Sequence, residues 1–181
     1  IIAVIAFLIL LPISIMLARF YAKIPGRGVR MHIYINILVL GLSTAAFILG
    51  FMAVGPSRSL TNPHHGIGVA IYVLVLVQTI FGNWMRKKWK KQGGRRRPGV
   101  FVMLHQWIGR STGLLGVINV PLGLTLYGSP KWTFILYALW ITFLLLMYFI
   151  QQHKVYKHID DREFHHRDVR SDVIIEEKKK G

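Results

Sequence analysis

Five long apolar stretches constrain this 181-residue chain more than any other feature. An apolar run of about 18 residues or more is typical of a helix that crosses a lipid bilayer. The connections between the runs are short, so consecutive helices are expected to be antiparallel neighbours. The predicted fold is an all-α integral membrane protein with five transmembrane helices. The predicted spans are residues 1–18, 32–54, 63–85, 101–127 and 132–151.

The distribution of charge supports this fold and predicts its orientation. All seven carboxylates lie between Asp160 and Glu177, so residues 1–159 contain none. Counting residue 19 at its edge, the first loop contains four Lys or Arg, and the third contains eight. The second and fourth loops contain one each. Because basic loops stay in the cytosol, we expect the N-terminus outside and a charged tail, residues 153–181, in the cytosol. The membrane domain is then residues 1–152.

The net charge of +16 has an explanation in the bilayer itself. Lys and Arg beside a membrane span are attracted to anionic lipid, so the lipid bilayer is the expected partner and nucleic acid is not. The chain has no cysteine, which excludes disulfides and thiolate metal sites. It begins with Ile1 and lacks the basic segment of a signal peptide. We therefore expect the sequence to be part of a longer protein.

Three histidines lie at the ends of predicted spans. His32 opens the second span and His105 lies near the start of the fourth, so both are expected on the cytosolic side at similar depth. His64 opens the third span on the outer side, after Asn62 as N-cap and Pro63 as first helical residue. Ionisable residues at membrane depth are rare and usually functional, and neutral imidazole is a common axial ligand of haem iron. The sequence therefore predicts these three histidines as metal ligands of a bound cofactor.

Two of these histidines share the pattern His-x-x-Ile-Gly, at residues 64–68 and 105–109. Residues i and i+4 share a helix face, so Gly68 and Gly109 are expected to leave a flat gap beside the imidazole. A planar macrocycle held by that histidine needs such a gap. Small residues at this spacing also allow close helix packing without any cofactor. His65, about 100° around the helix, is the alternative ligand to its neighbour.

Three other polar residues inside the predicted spans are candidates for specific roles. Arg110 comes five residues after His105. Its guanidinium matches carboxylate geometry and is a candidate partner for a haem propionate. Alternatively, its long side chain extends to the lipid head groups. Gln78 and Asn119 are expected to make interhelical hydrogen bonds.

The stretches that carry a family pattern are Leu11-Pro12-Ile13-Ser14, Ala18-Arg19-Phe20, Met31-His32, His64-His65-Gly66-Ile67-Gly68, Gln78, Gly82, His105-Gln106-Trp107-Ile108-Gly109-Arg110, Gly116-Val117-Ile118-Asn119 and Leu122-Gly123-Leu124. Taken together, these stretches resemble the cytochrome b561 domain, in particular the type that follows a DOMON domain in fungal and plant membrane proteins. The resemblance implies a four-helix core that holds two b-type haems, one near each membrane face, with the fifth helix peripheral. It implies that His32 and His105 bind the cytosolic haem and that His64 binds the outer haem.

The outer haem lacks its fourth histidine in this chain. In the family, the partner of His64 is a histidine on the first core helix, and none is present here. Aligning Pro12 with the family's proline places that histidine just upstream of Ile1. This fits either a chain that starts at the domain boundary or a true loss of the ligand. The outer end of the fifth span offers Lys131 and Trp132 and no substitute.

The resemblance also implies an activity. Electrons would cross the membrane from a cytosolic donor such as ascorbate to an extracytoplasmic acceptor, or in reverse. The acceptor would be ferric ion, monodehydroascorbate or a DOMON haem domain upstream in the same protein, and the compartment would be the plasma membrane. No helix contains two histidines 13–14 residues apart, which excludes the ferric reductase and NADPH oxidase type. A haem-free transporter or scaffold is the alternative, although transporters usually carry polar groups near mid-span.

Overall fold

The computed structural model describes residues 1–20, 27–54, 60–91 and 99–154. Within these ranges the regular secondary structure consists of five helices, which confirms the prediction of an all-α chain. The helices extend beyond several predicted spans because basic residues continue the last or first turn. Their bounds are Ile2–Phe20 (α1), Arg27–Val54 (α2), Pro63–Lys91 (α3), Val100–Leu126 (α4) and Lys131–Lys154 (α5).

Four of the five helices in the described ranges are long and apolar enough to cross a membrane. They are α1, α2, α3 as far as Lys88, and α5. These helices indicate an integral membrane protein. Helix α4 has 27 residues, which is about 40 Å at the usual rise per residue. It is long enough to span but is not among the four, and it contains His105, Arg110 and Asn119 among its apolar residues.

Helix α1 widens into a π-helical turn at Ile5–Leu10, directly before Pro12. There, the backbone N–H of Leu11 donates to the carbonyl of Ala6, five residues earlier. Pro12 has no N–H, so the carbonyl of Leu8 loses its α-helical partner, and a proline ring collides with that carbonyl in a regular helix. The wider turn gives the ring room.

Helix α5 supplies a donor to each of the two carbonyls that Pro12 and Pro121 leave without their usual partners. Nε1 of Trp140 donates to the carbonyl oxygen of Leu8 at 2.8 Å. In α4, Pro121 removes the partner of the Val117 carbonyl in the same way, and the hydroxyl of Tyr137 donates to that oxygen at 2.7 Å. Neighbouring helices commonly satisfy such groups in membrane proteins. Because Tyr137 and Trp140 are three residues apart, they share one face of α5.

The buried core lies between α1, α2 and α3. Helix α4 approaches α1 closely at Gly116, where an added Cβ would lie 2.8 Å from Cδ1 of Phe7. Most other large apolar side chains of the described helices are exposed, as expected for surfaces that face lipid. The core residues are Ala6, Phe7, Leu11, Val39, Ile71 and Val75.

The chain divides into two compact units, Ile1–Ile141 and Thr142–Gly181. The core and the hydrogen bonds of Tyr137 and Trp140 lie within the first unit. Of the second unit, the structure describes residues 142–154, all of which are helical. Apart from residues 153 and 154, the predicted tail at 153–181 lies outside the described residues.

Candidate functional site

The structure brings His32 of α2 and His105 of α4 together. Their ring centroids are 6.4 Å apart and their planes are nearly perpendicular, at 84°. With metal–imidazole bonds of about 2.0 Å, a metal between two imidazoles also separates the ring centroids by roughly 6 Å. The loop-charge argument predicted these two histidines at the same depth, and their proximity agrees with it.

The donor set around this pair is small. Within the described ranges, no group of three or more His, Cys, Asp or Glu side chains is placed to hold a metal ion. A metal ion bound by protein side chains alone usually has at least three such ligands. Two imidazoles are sufficient only where a macrocycle supplies the remaining ligands, as in haem. The two imidazoles match the number of protein ligands that a bis-histidine haem uses.

Ser14 of α1 holds the ring of His32. Nδ1 of His32 lies 2.8 Å from Oγ of Ser14 and 3.0 Å from the Ser14 carbonyl oxygen. A carbonyl oxygen cannot donate, so the proton is assigned to Nδ1 and the lone pair to Nε2. Metal-binding histidines are commonly oriented in this way, with the other ring nitrogen donating to a backbone carbonyl.

Asn36 completes this hydrogen-bonded group. Its Nδ2 donates to Oγ of Ser14 and to the carbonyl oxygen of His32, one turn earlier in α2. The same nitrogen lies within 3.4 Å of both ring nitrogens of His32. Ser14 is fully buried. The group therefore fixes the imidazole from two helices at once.

His64 of α3 is held by the same kind of contact. Its Nδ1 lies 3.1 Å from the carbonyl oxygen of Asn119 in α4, so the proton is again assigned to Nδ1. Oδ1 of Asn62 accepts from the backbone N–H of His64 at 2.9 Å, as the sequence predicts for an N-cap. The ring of His65, the alternative ligand, has its centroid 5.9 Å from that of His64.

His105 differs from the other two histidines. Its Nδ1 is buried and has no hydrogen-bond partner among the described residues. Its backbone carbonyl accepts from Nε2 of Gln78 at 3.2 Å, which is the interhelical bond predicted for that residue. A buried polar atom without a partner is costly and calls for an explanation. Ligation through Nε2 would not satisfy this atom, because Nδ1 would then carry the proton and still have no acceptor.

Two of the three histidines pack against glycines, and these glycines belong to the facing helix. A Cβ at Gly82 of α3 would lie 3.0 Å from Cε1 of His105. A Cβ at Gly123 of α4 would lie 2.7 Å from Cε1 of His64. Both distances are too short for a real side chain without a shift of the imidazole. Sequence reasoning gave these two glycines no role of their own.

Gly68 and Gly109, the glycines predicted to leave a gap, do not contact an imidazole. A Cβ at Gly109 would have no atom within 4 Å, and one at Gly68 would meet Nδ2 of Asn119 at 3.5 Å. The predicted gap beside each ring stays a prediction. Arg110 is exposed, with its guanidinium 5.3 Å from the ring centroid of Trp107. Its predicted roles at a propionate or at the head groups also stay predictions.

No protein-family model, curated protein or solved structure matches this chain. The structure therefore shows an all-helical protein with four candidate membrane-spanning helices, and no family is identified.

Proposed function

We propose that this chain binds haem between His32 and His105 and transfers electrons across a membrane. The observation that carries the proposal is the pair itself, two imidazoles from different helices with centroids 6.4 Å apart. The assigned tautomer of His32 leaves the lone pair on Nε2, the nitrogen that would coordinate the iron. When bound, the haem iron supplies the one-electron chemistry, and the protein supplies ligation, orientation and a low-dielectric setting.

In this proposal α4 is the fifth membrane span and completes a four-helix core with α1, α2 and α3. His64 would bind a second haem at the opposite end of α3. Of the histidines within residues 1–141, only the adjacent His65 lies at the same end of α3 as His64. The second haem would therefore need a further ligand besides His64.

The end of the molecule near His105 carries features suited to electron exchange. The ring of Phe81 lies 6.2 Å from that of His105 and 5.7 Å from that of Trp84. The ammonium of Lys88 lies 5.0 Å from the Trp84 ring centroid. We propose that this basic, aromatic end faces the cytosol of a plasma-membrane protein and meets a small anionic donor such as ascorbate.

The opposite end would exchange electrons with ferric ion, monodehydroascorbate or a DOMON haem domain upstream in the same protein. Transfer in the reverse direction uses the same arrangement. The enzyme class is then a transmembrane oxidoreductase. The positive-inside distribution of Lys and Arg supports this orientation.

The test is a reduced-minus-oxidised absorption spectrum with haem quantified per chain. We expect a bis-histidine b-type spectrum that His32→Ala and His105→Ala each abolish at the shared site. His153→Ala is the matched control, because His153 is exposed and lies in the second unit. A folded but colourless wild type would favour the haem-free transporter or scaffold. Full haem content in the His105→Ala variant would overturn the ligand assignment.

A further inference from the structure

The pattern shared by α3 and α4 extends far beyond His-x-x-Ile-Gly. Fourteen residues after the histidine comes an amide, Gln78 in α3 and Asn119 in α4. Eighteen residues after it comes a glycine, Gly82 in α3 and Gly123 in α4. All of these positions match at one constant offset of 41 residues. The two helices therefore carry the same chemical pattern over 19 residues.

Helix geometry makes this spacing meaningful. Eighteen residues are about five full turns, so the histidine and the distant glycine lie on one stripe of each helix. If two such helices pack antiparallel along that stripe, a histidine at one end meets the glycine at the far end of its neighbour. Because the spacing is equal in both helices, contact at one end of the pair enforces contact at the other end.

The structure contains both contacts. At one end, the imidazole of His64 lies against Gly123, and its Nδ1 donates to the carbonyl of Asn119. This places the start of α3 beside the end of α4. Three residues of the shared pattern are thus in mutual contact across the helix pair.

The corresponding residues meet at the other end. The imidazole of His105 lies against Gly82, and its carbonyl accepts from Nε2 of Gln78. The two amide residues act differently. Asn119 takes part through its backbone carbonyl, whereas Gln78 takes part through its side chain. The partners are nevertheless the same three positions of the pattern, with the two helices exchanged.

We propose that α3 and α4 are two copies of one helix, related by a two-fold axis that is perpendicular to both helix axes. Gly82 and Gly123 are then positioning residues, each for the histidine of the facing copy. Inverted repeats related by a pseudo-two-fold axis in the membrane plane occur in many membrane proteins. The role of these glycines in cofactor binding rests on the proposed function, whereas the repeat and its contacts do not.

The repeat also distinguishes between the two adjacent histidines of α3. His105 corresponds to His64, and Gln106 corresponds to His65. The ligand position at the outer end is therefore His64. The same correspondence makes the surroundings of His64 a second ligand site built to the plan of the first.

Histidine NMR of the haem-free protein tests the inference. The chain is labelled at histidine in detergent micelles, and each signal is assigned from its His→Ala variant. We expect Gly82→Ala to shift the signal of His105, in the other helix, and to leave His64 unchanged. Gly123→Ala should do the reverse. Gly41→Ala is the matched control, because a Cβ there meets no atom within 4 Å.

A cross-linking experiment covers the case in which an alanine variant does not fold. The chain has no cysteine, so paired substitutions react without background. We expect a short thiol cross-linker to join His64→Cys to Gly123→Cys, and His105→Cys to Gly82→Cys. It should not join His64→Cys to Gly82→Cys, which lie about 27 Å apart along one helix.

The outcomes separate the two proposals. Shifts confined to the histidine of the same helix, or no cross-link in either facing pair, would overturn the repeat. A colourless protein that shows the expected shifts and cross-links would overturn haem binding and leave the repeat standing. Haem binding without the crossed pattern of shifts would overturn the repeat and leave haem binding standing.

Discussion

The hydroxyl of Tyr137 donates to the carbonyl oxygen of Val117 at 2.7 Å, in the turn where Pro121 leaves that oxygen without its helical partner. Trp140 makes the equivalent bond to Leu8 in α1. The sequence predicts a fifth helix peripheral to the core. Its first half satisfies backbone groups in α1 and α4, and this explains why prolines are tolerated inside both.

The first prediction concerns Tyr137→Phe, which removes only the hydroxyl. The Val117 carbonyl then has no donor in an apolar setting, and we expect a loss of about 1 kcal/mol in the free energy of unfolding. Reversible unfolding in mixed detergent micelles, followed by circular dichroism, measures it. The control is the same change made together with Pro121→Ala, which restores the backbone N–H. An equal loss in both backgrounds would contradict the assignment.

The second prediction concerns Trp140→Phe, which keeps an aromatic ring but removes the indole donor. We expect a destabilisation of about 1 kcal/mol, reduced when Pro12→Ala supplies the missing N–H to Leu8. Trp132→Phe is the matched control, since Trp132 is 60% exposed and should tolerate the change. If the control loses as much stability as Trp140→Phe, the loss comes from the smaller aromatic ring and not from the missing hydrogen bond.

The sequence alone was sufficient to predict the helices and to place two of the candidate histidines at similar depth. Long apolar runs define the helices because a bilayer imposes a minimum length. The asymmetry of basic residues between loops placed His32 and His105 on one side, where the structure brings them together. Both inferences depend on the membrane as solvent, which acts on each helix independently of its neighbours.

Other contacts depend on packing and could not be read from local pattern. Trp140 and Leu8 are 132 positions apart, and nothing near either residue indicates the other. Gly82 and Gly123 are different, because their signal is present in the sequence at 18 residues from each histidine. The 18-residue spacing can be interpreted only when α3 and α4 are known to be antiparallel neighbours.

The third prediction concerns the group that holds His32. Ser14→Ala removes Oγ, one of the two oxygens that contact Nδ1, and leaves the Ser14 carbonyl in place. Partners of metal-binding histidines typically contribute about 10-fold to 100-fold in affinity, so we expect haem affinity to fall by about 10-fold. Haem titration of the purified protein measures this, together with a shift in reduction potential.

Ser43→Ala is the control for this variant. Ser43 is also buried in the bundle, but its Oγ has no hydrogen-bond partner among the described residues. Removing it should leave haem affinity unchanged and stability unchanged or slightly higher. Equal losses in the two serine variants would show that buried hydroxyls matter generally and that Ser14 has no special relation to His32.

The fourth prediction concerns the close approach of α4 to α1. A Cβ at Gly116 would lie 2.8 Å from Cδ1 and 3.1 Å from Cβ of Phe7, and Phe7 is buried in the core. Because a contact with Cβ cannot be relieved by rotating the ring, Gly116→Ala should cost about 1–3 kcal/mol of unfolding free energy. Combining it with Phe7→Leu should recover part of that loss, whereas Gly41→Ala, in open space, should not destabilise. The same unfolding assay measures all three, and a neutral Gly116→Ala variant would mean that α1 and α4 are less closely packed than the structure has them.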